Sequence, residues 1–315
     1  MTAQLTATHT HGERITVAAD GTEILTYVYR PDPEAFESRK PYAHPVRTLA
    51  GNLVTGYRPN DHRWHKGVQM TASHVSGQNF WGGNSYLNPD VGYQRVEERV
   101  GSMRHDGFPR IEAPAPDGDR VAIAEDLTWL NHGGEEWARE SRTVTIHSVE
   151  PAEGAWALDW SIHLTNVRGE ALHFGSPTTA GREMAGYTGL HWRGPRDFAG
   201  GQVVTPAGPS TDEETMGTPV ADAPWLGFTA ERDDVDAHTT LVFAHAPENL
   251  GETAIHPSHW FVRSGATPTV AFSWAFFEEF ALAPEESFAF RYRIVVADGA
   301  WDAARIENHL KNHPW

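Results

Sequence analysis

Cysteine is absent from the 315 residues. Disulfides, thiolate chemistry and Cys-ligated zinc or iron–sulfur centres are therefore closed to the chain. Positive charge is scarce too: 25 Lys and Arg stand against 42 Asp and Glu, a formal charge of −17, and no stretch concentrates the cations. Such a field repels phosphate backbones, so no nucleic-acid partner is expected. No run of about 18 apolar residues occurs, which excludes a helical membrane span. The N-terminal "MTAQLTATHTHGERITVAAD" lacks the basic start and apolar centre of a secretory signal, so a soluble cytoplasmic protein is expected.

What the chain does have is alternation. Segments 23–31, 140–150, 156–167, 239–247, 267–282 and 286–299 switch between apolar and polar residues with period two and are rich in β-branched and aromatic side chains. That pattern suits half-buried strands. In the last of them Phe288, Phe290, Tyr292 and Ile294 share one face, and Arg291 and Arg293 take the other, which predicts a strand with one wet side. Pro and Gly gather between these runs, at 31–41, 113–119 and 205–224, marking turns and one long surface excursion. The one helix predicted is C-terminal, with Asp302 as its cap and Ile306 and Leu310 four residues apart. Strands without alternating helices predict an all-β protein, a large antiparallel β-sandwich with a short C-terminal helix, formed by residues 1–315 as a single domain.

The 18 histidines and 12 tryptophans are clustered. A first cluster, "KPYAHPVRTLAGNLVTGYRPNDHRWHKG" (40–67), holds His44, Arg47, Asp61, His62 and His65. Imidazole titrates nearest neutrality, so it both gives and takes protons. On an extended strand His62 and His65 would point to opposite faces; the turn formers Pro59, Asn60 and Asp61 predict instead a bend that brings both rings onto one small molecule, with Gly67 letting the backbone leave sharply. The plainer reading is two histidines bonded to loop carbonyls. A second cluster, 173–201, offers Arg182, Glu183, Tyr187, His191, Arg193 and Arg196 among glycines, where planar guanidinium groups suit carboxylates, phosphates or diols. A third group is aromatic: Phe80 and Trp81 beside Asn79, then His259, Trp260 and Phe261, faces on which sugar rings stack.

Taken in order, "PYAHPVRTLAG", "DHRWHKG", "NFW", "GYTGLHWRGPRDF" and "HWFVR" resemble the PmoA-like family, labelled "methane oxygenase PmoA". The membrane subunit of that name spans a bilayer, as this chain does not. The resemblance, from about Pro41 to Asp298, implies instead an all-β protein of carbohydrate catabolism. More remotely the chain is similar to the galactose-mutarotase-like supersandwich, in which a histidine acid and a carboxylate base act on a sugar held over the sheet. Carried over residue by residue, that pattern implies His62 or His65 as the acid and leaves the base open between Glu183 and the late pair Glu278 and Glu279.

The function expected is that of an enzyme on a sugar or oxidised sugar derivative, an epimerase, lyase or hydrolase. Its catalytic residues are His62, His65 and Glu183, and His44, Arg47, Asn79, Trp81, Tyr187, Arg193 and Trp260 bind a small-molecule carbohydrate. No cofactor is required. Two alternatives remain: a carbohydrate-binding accessory protein without chemistry, and a metal-dependent oxygenase or hydrolase with a divalent ion on His62 and His65. A homo-oligomer is left open.

Overall fold

The computed structural model describes residues 3–114, 119–250 and 255–315. Two large sheets dominate. The first has eight strands in the order Leu5–Thr10, Arg14–Ala19, Thr22–Val28, Tyr42–Val46, Val68–Ala72, Thr188–Arg193, Thr269–Ser273 and His259–Arg263. The second has nine: Gly208–Ser210, Gln202–Thr205, Trp225–Glu231, His238–His245, Ser287–Asp298, Ala155–Asn166, Glu136–Glu150, Val121–Leu130 and Ser102–Glu112. Neighbouring strands in both pair antiparallel, as a chain with little helix between its strands allows. The architecture is the all-β sandwich that the alternation predicted, closed by the helix Ala303–Asn312, which Asp302 caps by accepting from the Arg305 N–H at 2.8 Å.

One contiguous core fills the space between the sheets. Met70, Leu190, Trp192, Trp260 and Phe272 face into it from the first sheet, and Trp156, Trp160, Phe243, Phe290 and Tyr292 from the second. Burying each such side chain is worth roughly 1.5–3 kcal/mol.

Two expectations are corrected, and a third region gains detail. The face carrying Arg293 is not wet: the C-terminal helix and a second apolar cluster, including Trp225, Val295, Trp301 and Ile306, cover it. Arg293 is buried there with both oxygens of Asp159 as partners. The run 267–282 is not one strand but two, Thr269–Ser273 and Phe280–Leu282, in different sheets. Alternation fails between them because Trp274, Ala275 and Phe276 are all buried, as suits a segment crossing between sheets. The excursion 205–224 is ordered, with the strand Gly208–Ser210 and a one-turn helix, Asp212–Thr215, closed by a Thr211–Glu214 capping box. Of the turn at 113–119, residues 115–118 lie outside the described residues.

Candidate functional site

The histidine segment forms the predicted bend. The His62 N–H donates to the Pro59 carbonyl at 2.9 Å, the His65 N–H to the His62 carbonyl at 2.9 Å, and the Arg58 N–H to the His65 carbonyl at 2.8 Å. At the exit Gly67 has φ +59°, and a Cβ there would run into the Ala43 carbonyl. Both ends of the bend are tied to one fully buried carboxylate: Glu37 accepts from Arg58 through Nε (3.0 Å) and Nη2 (2.6 Å) and from Lys66 Nζ at 2.9 Å. Burial alone would raise the Glu37 pKa, but these hydrogen bonds prevail and hold it below its ordinary value.

Closed in this way, the bend sets the His62 and His65 rings 4.9 Å apart. His62 Nδ1 lies 2.9 Å from Asp61 Oδ2, at ion-pair distance without the alignment of a good hydrogen bond, so Nε2 remains for a ligand. His65 is buried, with Nδ1 3.5 Å from Arg193 Nη1. Arginine only donates, so His65 Nδ1 is the acceptor and its hydrogen sits on Nε2. Burial, followed by the nearby His191, His62, Arg193 and Lys40, pushes the His65 pKa well below the usual imidazole range.

His191, which the sequence reading grouped with the second cluster without a role, stands beside them, its ring 4.8 Å from His65 and 4.5 Å from Trp81. Its Nε2 is 2.7 Å from Thr269 Oγ1, and that hydroxyl spends its own hydrogen on the Trp192 carbonyl. His191 must therefore donate from Nε2 and keep a bare Nδ1, which has no partner among the described residues. Burial, then the Arg193 charge, also drives its pKa well down.

Asp61, His62 and His65 border a cavity of about 400 Å³, with His191 packed behind its wall. Its wall runs from His62 and His65 past Trp81, whose ring is 5.1 Å from Tyr187, to Phe261, 4.8 Å beyond. Tyr93, Arg182 and Arg263 complete that side. The volume holds a monosaccharide or somewhat more, lined by aromatic faces with a few convergent polar groups, the usual make-up of a small-molecule site.

Strand parity explains which residues arrive. Antiparallel pairing sets His191 opposite both Gln69 and Ala271, with Phe261 next across, and sets Arg193 opposite Thr269, with Arg263 next. These face away from the inter-sheet core, whereas Leu190, Trp192, Trp260 and Val262, one residue out of phase, face into it.

Of the predicted site residues, the structure brings together His62, His65, Trp81, Tyr187 and Arg193, the last behind His65. Asn79 borders the cavity, but its amide is consumed within its own turn, accepting from the Trp81 and Gly82 N–H groups and donating to Ser85 Oγ. It shapes the loop that holds Trp81.

Four placements correct the sequence reading. Trp260 is core, its indole N–H donating to the Ala223 carbonyl at 2.7 Å. His44 stacks on Tyr57 at 4.8 Å and bonds Thr55 Oγ1, off the cavity wall, its pKa pushed to about 4 by burial and the Arg47 charge. Arg47 donates to the Gly51 carbonyl in a remote turn. Glu183 is exposed and does not line the cavity, and neither do Glu278 and Glu279, so the carboxylate beside the histidines is Asp61. Trp64, Tyr93 and Arg263 had been passed over. Reading "HWFVR" strictly with period two would have recovered Arg263 together with Phe261. Among the described residues no three His, Asp or Glu groups are arranged to hold a metal ion.

Comparison with known proteins gives a family and remote structural likenesses. A model described as "Family of unknown function (DUF6807)" matches residues 14–311. The PmoA-like label finds no support in the matches. No curated protein matches the chain. Among solved structures, a GH36 alpha-galactosidase, AgaA from Geobacillus stearothermophilus, is similar at 10% identity and TM-score 0.44, over 94% of this chain and 41% of that one. A galactose 1-epimerase from Lactobacillus acidophilus NCFM is similar at 8% identity and TM-score 0.39, over 95% and 100%. A polysaccharide lyase is similar at 11% identity and TM-score 0.31, over 94% and 33%. The chain thus spans about two-fifths of the galactosidase and a third of the lyase. No helix is long and apolar enough to cross a membrane.

Proposed function

We propose, from the premise that the chain belongs to the DUF6807 family, that it is an enzyme acting on a sugar by acid–base proton transfer in the cavity beside His62 and His65. The observation that carries this reading is the convergence of two imidazoles on one aromatic-walled cavity, the first beside Asp61 and the second kept neutral by burial. In this scheme His62 exchanges a proton through Nε2, with the Asp61 carboxylate 2.9 Å from its Nδ1. His65 presents an Nε2–H to a substrate oxygen, polarising it without titrating. Trp81 and Tyr187 offer faces for the C–H side of a pyranose. A metal-dependent reaction would need a third ligand beside the two histidines, and none is arranged for it among the described residues.

Incubating the protein with a panel of aldoses and sugar acids in deuterated buffer, followed by proton NMR, tests the reading. It reports faster anomer exchange, deuterium entry beside a carbonyl, or elimination. Replacing His62 with Ala should slow whichever reaction appears by about 10²–10⁴-fold. Undiminished turnover in that variant overturns the assignment. The second reading, a carbohydrate-binding protein without chemistry, is favoured by the neutral state of His65 and His191, which hydrogen-bond without needing to titrate. Binding with no change in any sugar signal is its signature.

A further inference from the structure

Among the residues bordering the cavity, Arg182 and Arg263 have no acidic partner, although the chain carries 42 acids to 25 bases. Several other cations are matched, Arg58 and Lys66 to Glu37, Arg142 to Glu140, Arg232 to Asp197 and Arg293 to Asp159, while the buried Lys40 donates to the Trp81 carbonyl and Arg193 faces His65. Arg182 instead donates only to the neutral hydroxyls of Tyr93 and Tyr187. The Arg263 guanidinium makes no hydrogen bond or ion pair with any described residue and rests over the Phe261 ring, its Cζ 5.3 Å from the centroid.

The two guanidiniums line the same cavity and share one aromatic neighbour, Tyr187. Their Cζ atoms lie 5.6 and 6.0 Å from the centre of the same Tyr187 ring, and both act on the Tyr93 phenol, favouring its ionised form against the stronger opposing effect of burial. Asp61 is the one acid bordering the cavity among the described residues, and it is engaged with His62. A half-buried pair of unneutralised forks beside aromatic faces is a site short of an anion.

We propose that Arg182 and Arg263 form a carboxylate subsite, and that the ligand of this cavity is a sugar acid, a uronate or aldonate, with its carboxylate between the two guanidiniums. This rests on the sugar-site reading above and narrows it. A planar carboxylate has four lone-pair directions for two planar forks, and the phenols of Tyr93 and Tyr187 are placed to donate to the same oxygens once Arg182 turns to the ligand.

Isothermal titration with D-glucuronate and D-galacturonate, each against its neutral parent hexose, tests the proposal, with Arg182→Met and Arg263→Met measured separately. Both side chains lack charged partners, so their loss leaves no buried ion stranded, and circular dichroism checks the fold. The expected result is uronate binding about 10–100-fold tighter than hexose, the worth of a charge-assisted hydrogen-bond pair. The preference should shrink with added salt and collapse in either variant while hexose affinity holds. Equal binding of acid and parent, or a preference that survives both variants, overturns the carboxylate subsite and leaves the sugar reading standing. Binding of neither acid nor parent overturns both.

Discussion

Replacing Glu37 with Gln isolates the clamp that shapes the histidine bend. Glu37 is fully buried and holds two cations of unlike exposure: the Arg58 side chain is 37% exposed and that of Lys66 only 4%. The Arg58 contact faces water, so its electrostatic share is at most about 1 kcal/mol. Lys66 decides the magnitude. Stranding a buried charge by removing its partner costs about 3–5 kcal/mol. The glutamine oxygen still accepts one hydrogen bond, and Lys66, whose pKa burial already lowers, can shed its proton, so the lower end, about 3 kcal/mol, is expected. For a chain of this size that corresponds to a fall in Tm of about 5–10 °C by differential scanning calorimetry. The pH dependence gives a second check. An unfolded Glu37 titrates near 4.5 and the native one lower, so its contribution is complete above 4.5, declines as pH falls towards the native value, and is gone below it. The gap between wild type and E37Q should therefore narrow as pH falls below about 4.5. A variant as stable as wild type at pH 7, or a gap that does not narrow as pH falls below 4.5, refutes the clamp.

Two further outcomes follow from the same structure. Gly67→Ala forces a left-handed φ on a residue with a side chain and drives its Cβ into the Ala43 carbonyl, so it should cost about 2 kcal/mol or more in urea unfolding; a smaller loss would mean that the bend relaxes freely. His44, His65, His191 and His245 all have depressed native pKa values, about 4 for the first and about 3 for the last. Below pH 6.5 their unfolded forms take up protons that the buried forms refuse, so stability should fall by up to about 1.4 kcal/mol per pH unit for each, a trend that a flat profile from pH 7 to 5 would contradict.

The fold was legible wherever one face of a strand is buried, because alternation is then written directly into residue order, as over 158–166 and 287–292. It was misread where both faces are covered. Arg293 looks solvent-facing until the C-terminal helix lies over it, and 267–282 looks continuous because apolar residues on either side of a crossing resemble a strand. The bend at His62 was readable because Pro, Asn and Asp specify turns locally. The partners of that bend were not. Glu37 reaches Lys66 and Arg182 reaches Tyr93 only through tertiary pairing, which sequence spacing does not encode. Sequence proximity misled in the opposite sense for His44 and Arg47, which share a segment with the site but turn elsewhere, and for Glu183, one residue from Arg182 but exposed.

In Thr188–Arg193 successive side chains belong alternately to the layer packed behind His65 and Trp81 of the cavity wall and to the inter-sheet core, so two selective pressures are interleaved along six residues. Point changes at 191 or 193 can alter chemistry while 190 and 192 keep the scaffold intact. An insertion or deletion of one residue would exchange the two sets, turning Leu190 and Trp192 outward and an arginine into the apolar interior. Divergence along this strand should consequently proceed by substitution, with length variation pushed into the loops that flank it.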